Sequence, residues 1–383
     1  MSLGFQLQRR LSPSLRNDIL VPIVSVLAAL VVGALFLAVE GYAPLTVYRA
    51  LFDSSFTTWF GITDSLAAAS PLILTGLAAA VTFRMKLFNI GAEGQLYLGA
   101  IGASWAGLAL APDLPRPLAA VVMLLAGAAA GALWILPAAF FRARLGTSEI
   151  ITTLMLTFVA LFLMRYLIFG ASSFWRDPLA TNFPQGRRIL PEIRFDTFGT
   201  TRVHWGIVVA VVAVVAVWAL IRFTRVGFAM DVVGSSPAAA RYAGIPVRRT
   251  IVTSLLLSGA LAGLAGAAEV GGRAYALDPN GLEIGLGFTG IVVAALGRYS
   301  PWGVLVVALM LGGLRNAGVA LQSVPGTRVP EEVSLMLQGA ILLFATGGEV
   351  FLRQKLVRRR RGAAAAPPTM PPDAPPTTAE VAA

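Results

Sequence analysis

Apolar residues in this chain come in runs long enough to cross a bilayer, near 19–39, 62–83, 92–111, 117–138, 148–170, 205–223, 251–270, 284–298, 302–321 and 332–351. About 20 apolar residues in a helix cover the roughly 30 Å of a hydrocarbon core, so each run predicts a transmembrane helix. The eighth is short and glycine-rich. With 57% hydrophobic and 13% charged residues, the chain is predicted to be all-α, a polytopic membrane bundle of about ten helices.

Charge sets the predicted orientation. If the N-terminus is cytoplasmic, 19 of the 30 Lys and Arg residues fall in inside segments and nine outside, with Arg165 and Arg315 within spans. The positive-inside rule therefore places both termini in the cytoplasm, and the net charge of +11 speaks to membrane sidedness rather than to a nucleic-acid partner. Residues 1–18 form a cytoplasmic segment and 19–351 the transmembrane domain. Residues 352–383 form a basic, then Pro- and Ala-rich tail expected to be disordered. The first run, about 21 residues, exceeds the 7–15 of a signal-peptide core and reads as a retained helix. The segment 171–204 is either a contact surface for something outside the membrane or an irregular cap.

Composition removes several chemistries. There is no cysteine, so no disulfide, thiolate nucleophile or iron–sulfur cluster; a lone His204 cannot build a multi-histidine zinc site and reads as ordinary. Neither Lys86 nor Lys355 lies in a Walker A setting, so the chain is not expected to hydrolyse ATP. An ion-coupled secondary transporter would need coupling-ion ligands at mid-membrane, whereas the acidic residues here gather near span ends. An intramembrane enzyme lacks paired carboxylates.

Four sets of residues stand out. The stretch Phe88–Gln95 puts Asn89, Glu93 and Gln95, flanked by glycines, at the start of an apolar run. Such interrupted helices face solute cavities in transporters, while helix capping is the plainer account. Tyr97, Glu149, Thr152 and Thr153 supply further hydroxyl and carboxylate groups for a solute path. Ile284-Gly285 repeats Ile90-Gly91 after 194 positions, which reads either as inverted-topology repeats or as chance recurrence of small residues. The spacings Gly127-x3-Gly131 and Gly259-x3-Gly263, with Gly266 beyond, predict close helix packing, with both helices in the bundle interior. Within the basic segment 222–250, Ser235 or Ser236 as cap, Pro237 at the first turn, Ala239, Arg241 and Tyr242, and a stop at Gly244 predict a short rigid helix over 236–243, suited to be pushed by another protein.

Together Phe88–Gln95, Gly146–Leu156, Gly234–Pro246, Ser258–Gly266 and Gly287–Gly303 resemble the permease subunits of ATP-binding-cassette importers. The resemblance covers roughly 60–350 and points to the branched-chain amino acid and simple-sugar permease superfamily. Within it, FNIGAEGQ followed by GTSEIITTLML is most similar to nucleoside-type permeases that work with a basic-membrane-protein-like lipoprotein. It implies a multi-pass protein of the bacterial inner membrane, with a second homologous permease, a cytoplasmic ATPase and an external substrate-binding lipoprotein as partners. No cofactor would be bound by this chain, ATP and Mg being held by the ATPase. The 236–243 helix would be the coupling element, and the cargo a neutral polar solute, nucleosides before simple sugars.

Overall fold

The computed structural model describes residues 5–9, 15–170, 173–180, 184–321 and 354–358, with scattered positions between 333 and 348. Along the chain come β1 (Phe5–Arg9), α1 (Leu15–Val39), α2 (Pro44–Phe52), α3 (Trp59–Phe83), α4 (Ala92–Ala109), α5 (Arg116–Trp134), α6 (Leu136–Phe140), α7 (Glu149–Phe169), α8 (Gly206–Phe223), α9 (Arg225–Ser235), α10 (Pro237–Tyr242), α11 (Val247–Glu269), α12 (Pro279–Leu282), α13 (Leu286–Leu296), α14 (Pro301–Leu321) and β2 (Gln354–Arg358). Nine of the ten apolar runs coincide with a helix; the tenth, 332–351, lies largely outside the described residues. Five helices among the described residues are long and apolar enough to cross a membrane. The sequence did not signal α2 or α9, nor the antiparallel β1–β2 pair that sets Leu7 opposite Leu356.

Side-chain size sorts the helices. In α3, small residues run through Ala67–Ala69, Gly76 and Ala78–Ala80, and nearly the whole second half is buried; a helix apolar all round and thin can be enclosed on every side. Thr58 caps its start by accepting from Gly61 N (3.0 Å). Against α3 pack α13, α14 and α11, and α11 packs in turn on α4 and α5. By contrast α7 buries a single stripe of Glu149, Thr153, Thr157, Ala160, Met164 and Ile168, and turns Ile151, Met155, Phe162 and Tyr166 outward.

The glycine spacings meet as expected along one line. A Cβ at Gly131 would strike the Gly259 carbonyl, and one at Gly263 the Gly127 carbonyl; at Gly266 it would meet the α4 backbone at Leu96. Gly99 of α4, not singled out from sequence, joins the same seam against Gly263. While α11 is largely enclosed, α5 is buried only along Ala119, Met123, Gly127 and Gly131, so it is peripheral rather than interior. One methyl-free stripe is enough for close approach and does not require burial on the other faces.

The segment between α7 and α8 is a packed cap with its own apolar anchors: Ile189, Ile193 and Phe195 are buried, and Arg116 ties it to α5 through the Glu192 carbonyl (2.8 Å) and Asp196. It defines one end of the bundle; α9 and α10 lie at the other.

Candidate functional site

Between α3 and α4 the chain turns at Lys86, whose φ of 57° lies in the left-handed region, and then runs back into the bundle unhelically. This brings Asn89 level with Ala78, because the Asn89 amide donates to Ser258 Oγ (2.9 Å), and Ser258 donates to the Ala78 carbonyl (2.7 Å). Asn89 and Gln95 exchange two amide bonds (2.9 and 3.0 Å), and Asn89 Oδ1 also accepts from Gly91 N (3.0 Å). Every donor and acceptor position of the Asn89 side chain is used, which is what allows it to be fully buried in an apolar bundle.

One turn further on, Glu93 serves two helices. It sits in the first turn of α4, and its carboxylate accepts from Gly285 N (3.1 Å), from Gly287 N and from the Tyr97 hydroxyl (2.8 Å). Gly285, at φ 72°, is the N-cap residue of α13; it has no side chain to satisfy the helix's first N–H groups, and Glu93 supplies the oxygens instead. The start of α13 is fixed by Thr75 of α3, whose hydroxyl reaches the Leu286 carbonyl (3.1 Å). Thus α4 and α13, each opened by an Ile-Gly pair, both start inside the bundle and share one carboxylate.

Behind this pair lies the start of α7. Glu149 accepts from Phe88 N (3.0 Å) and pairs with Arg142 (3.1 Å). The Thr152 and Thr153 hydroxyls donate back to the carbonyls of Ser148 (3.1 Å) and Glu149 (2.7 Å). Asn89, Glu93, Gln95, Tyr97, Glu149 and Thr153 are therefore buried with their polar atoms bonded to one another or to neighbouring backbone and side chains, while Thr152 is half-buried beside them. Farther along α7, Arg165 makes a two-pronged ion pair with Glu283, a partner that its sequence position near a span end did not reveal.

At the α9–α10 end, Ser236 caps α10 by accepting from Ala239 N (3.2 Å), Pro237 opens the helix, and Gly244 at φ 75° ends it. Only Ala240 is buried; Ala239, Arg241 and Tyr242 face outward, Tyr242 being 97% exposed. The platform beneath was missed from sequence. Asp231 of α9 takes both prongs of Arg84 at the end of α3 (2.5 and 2.9 Å), and Gly234 lies flush on the Arg84–Met85 backbone. The available signal was Asp231 itself, the lone acid among the five arginines of 222–250.

At the opposite end, α3, the cap, the turn after α11 and α14 line a cavity of about 460 Å³, whose walls include Asp64, Arg202, His204, Arg273, Tyr275 and Arg315. His204 is buried, its Nδ1 accepting from Gly206 N (3.1 Å), and burial holds its pKa below the usual histidine value.

Residues 61–346 match the profile of a family described as the permease component of the branched-chain amino acid transport system. The chain belongs to that family. Over 328 residues the permease is 36% identical to the guanosine ABC transporter permease protein NupP of Bacillus subtilis, covering 86% of this chain and 93% of NupP. It is 37% identical over 349 residues to the glucose ABC transporter permease protein TsgB13 of Haloferax volcanii (88% and 89%). It is 33% identical over 335 residues to the nucleoside ABC transporter permease protein NupB of Lactococcus lactis (86% and 90%). The permease is a multi-pass ABC transport subunit and not an enzyme.

Proposed function

We propose that this permease forms the import path for nucleosides. The observation carrying this reading is that relatives named for guanosine and for nucleosides align over most of both chains. In this reading Asn89, Glu93, Gln95, Tyr97, Glu149 and Thr153 shape the path by fixing the starts of α4, α13 and α7, and Thr152 stands nearest to it. The glucose-named relative supports a sugar permease as the second reading. Competition decides between them. Cells carrying the whole transporter are expected to take up labelled guanosine, with excess adenosine blocking uptake and excess ribose or glucose leaving it unchanged; block by sugar alone would sink the nucleoside assignment.

The same reading gives ten spans with both termini cytoplasmic, in a bacterial inner membrane, and makes the α4 and α13 regions inverted repeats. The two halves pack alike, α3 on α13 and α14, α11 on α4 and α5. Single cysteines in this cysteine-free chain test it: Thr200→Cys is expected to react with an impermeant reagent in intact cells, and Ala238→Cys only after lysis. The exposed apolar face of α7 would meet lipid and a second permease, the cap an external binding lipoprotein, and α10 a cytoplasmic ATPase holding ATP and Mg. With α10 as the coupling helix, Ala239→Asp or Gly244→Pro is expected to leave the permease inserted while abolishing substrate-stimulated ATPase activity of the complex. Wild-type stimulation in either variant would refute that role.

A further inference from the structure

Helix α8 packs on α3 and α14 and turns one face outward. On that face Val211, Val215, Trp218 and Arg222 follow one another at helical spacing, and all four are exposed. An apolar stripe thus runs down the helix and ends in an aromatic ring and a guanidinium. The neighbouring α14 repeats the pattern from its own start at the same end of the bundle, with Trp302, Val306 and Met310 exposed at fourth positions. The two stripes meet at their aromatic ends: the Trp218 ring stands edge to face with Trp302 (6.2 Å between centroids) and with Phe223 (5.2 Å). Just beyond, Thr224 ends α8 and caps α9 by accepting from Gly227 N (3.2 Å), which sets Arg225 and, one turn on, Phe228 outward while Gly227, Met230 and Gly234 face the bundle.

The charge at this corner is uncompensated. Asp231, the lone acid of 222–250, is held by Arg84, and Glu149 at the same end is held by Arg142. Neither Arg222 nor Arg225 enters an ion pair among the described residues. Three chemistries could cover such a face, and they match it unequally. An acidic protein surface suits the two guanidiniums but not the valine stripe above them. A zwitterionic lipid suits the stripe and brings no net charge to the guanidiniums. An anionic phospholipid suits both, with acyl chains on the stripe, glycerol and carbonyl groups beside the indoles, and the phosphate at the arginines.

We propose that the outward face of α8 and α14 is a binding site for an anionic phospholipid, whose headgroup phosphate is held by Arg222 and Arg225. Because α9 leads directly into α10 at Ser236, a lipid held here would also fix the level of the exposed α10 helix relative to the bilayer. The site is independent of the cargo and stands whether or not the nucleoside reading does.

Because the chain has no cysteine, one introduced thiol reports on this face. Val215→Cys, on the stripe one turn from Trp218, is labelled with bimane in the purified full-length permease and reconstituted into phosphatidylcholine vesicles. Phosphatidylglycerol with brominated acyl chains is expected to quench the label at about a tenfold lower mole fraction than brominated phosphatidylcholine, since each arginine near the surface favours an anionic lipid by about fivefold. Arg222→Gln with Arg225→Gln is expected to bring the two lipids level, and Arg222→Lys with Arg225→Lys to keep the preference. Arg248→Gln with Arg249→Gln, which removes the same charge at the start of α11, is expected to leave it unchanged. Brominated phosphatidylcholine should quench every variant alike, which reports that α8 is still inserted. Equal quenching of the wild type by both lipids, or a preference that survives the double Gln change at 222 and 225, would overturn the proposal. So would an equal loss in the α11 variant, which would mean diffuse attraction to the whole basic end. Assembly with the ATPase is expected to leave the preference in place; its disappearance there would assign the face to the ATPase and refute the lipid site.

Discussion

Two polar regions lie inside this apolar bundle, and they are built oppositely. Around Asn89, Glu93 and Gln95, the carboxamide and carboxylate groups bond to neighbours on α4 and α11 and at the start of α13. Around Asp64 and His204, beside a cavity, one carboxylate oxygen and one ring nitrogen are buried without a hydrogen-bond partner among the described residues. The first arrangement locks helix starts together; the second leaves polar atoms uncompensated among the described residues. Burial of polar residues in a transporter therefore does not by itself mark a solute contact, and hydrogen-bond accounting separates a joint from a binding surface.

The sharpest way to break this contrast is Glu93→Ala. It removes the oxygens that serve Gly285, Gly287 and Tyr97, and is expected to cut solute uptake by the assembled transporter to below about a tenth while pull-down of the ATPase persists. Uptake above half of wild type would mean that the α4–α13 joint is not needed for transport, and loss of assembly would favour a purely structural cap.

Next in size is Asn89→Leu, which leaves the Gln95 amide and Ser258 hydroxyl short of partners and is expected to destabilise the permease by about 2–4 kcal/mol, read as a lowered melting temperature in detergent. The double change Asn89→Leu with Gln95→Leu should be less damaging than the sum of the singles, because it removes both halves of the amide pair. Additive losses would show that the pair is not a closed unit.

Arg84→Ala should be smaller in stability, below about 1 kcal/mol, since the Arg84–Asp231 pair is over a third exposed. Its effect is expected in substrate-stimulated ATPase activity of the complex, with recovery in the charge swap Arg84→Asp, Asp231→Arg.

The smallest effect belongs to the open region and is read by acid. Burial lowers the His204 pKa below its ordinary 6.5, with Glu269 opposing and Arg273 reinforcing the shift. On acidification the unfolded chain takes up this proton first, so the histidine's contribution to stability is present above pH 6.5 and is lost as pH falls towards the lower folded value. The melting temperature of the wild type should therefore fall more steeply than that of His204→Gln below pH 6.5; identical slopes would place the ring in water.

Much of the bundle was legible in the order of residues. Apolar runs located nine helices, Ser236, Pro237 and Gly244 located α10, and the glycine spacings located the α5–α11 seam. Each of these signals is local, carried by length, capping or the absence of a side chain. Asn89, Glu93 and Gln95 were equally visible as polar residues at the start of a span, yet their partners Ser258, Gly285 and Gly287 lie more than 160 positions away. His204 looked ordinary because nothing near it in sequence shows that Asp64 and Arg273 share its cavity.

By itself the sequence determined that this chain is a helical membrane bundle with a short, well-capped helix in its 222–250 segment, because hydrophobic length and helix capping are properties of contiguous residues; that it is a permease came from the resemblance of its motifs. Only the tertiary structure decided which polar groups are closed on each other and which remain open, because that depends on which distant donors and acceptors the packing of α3, α11 and α13 brings within hydrogen-bond reach.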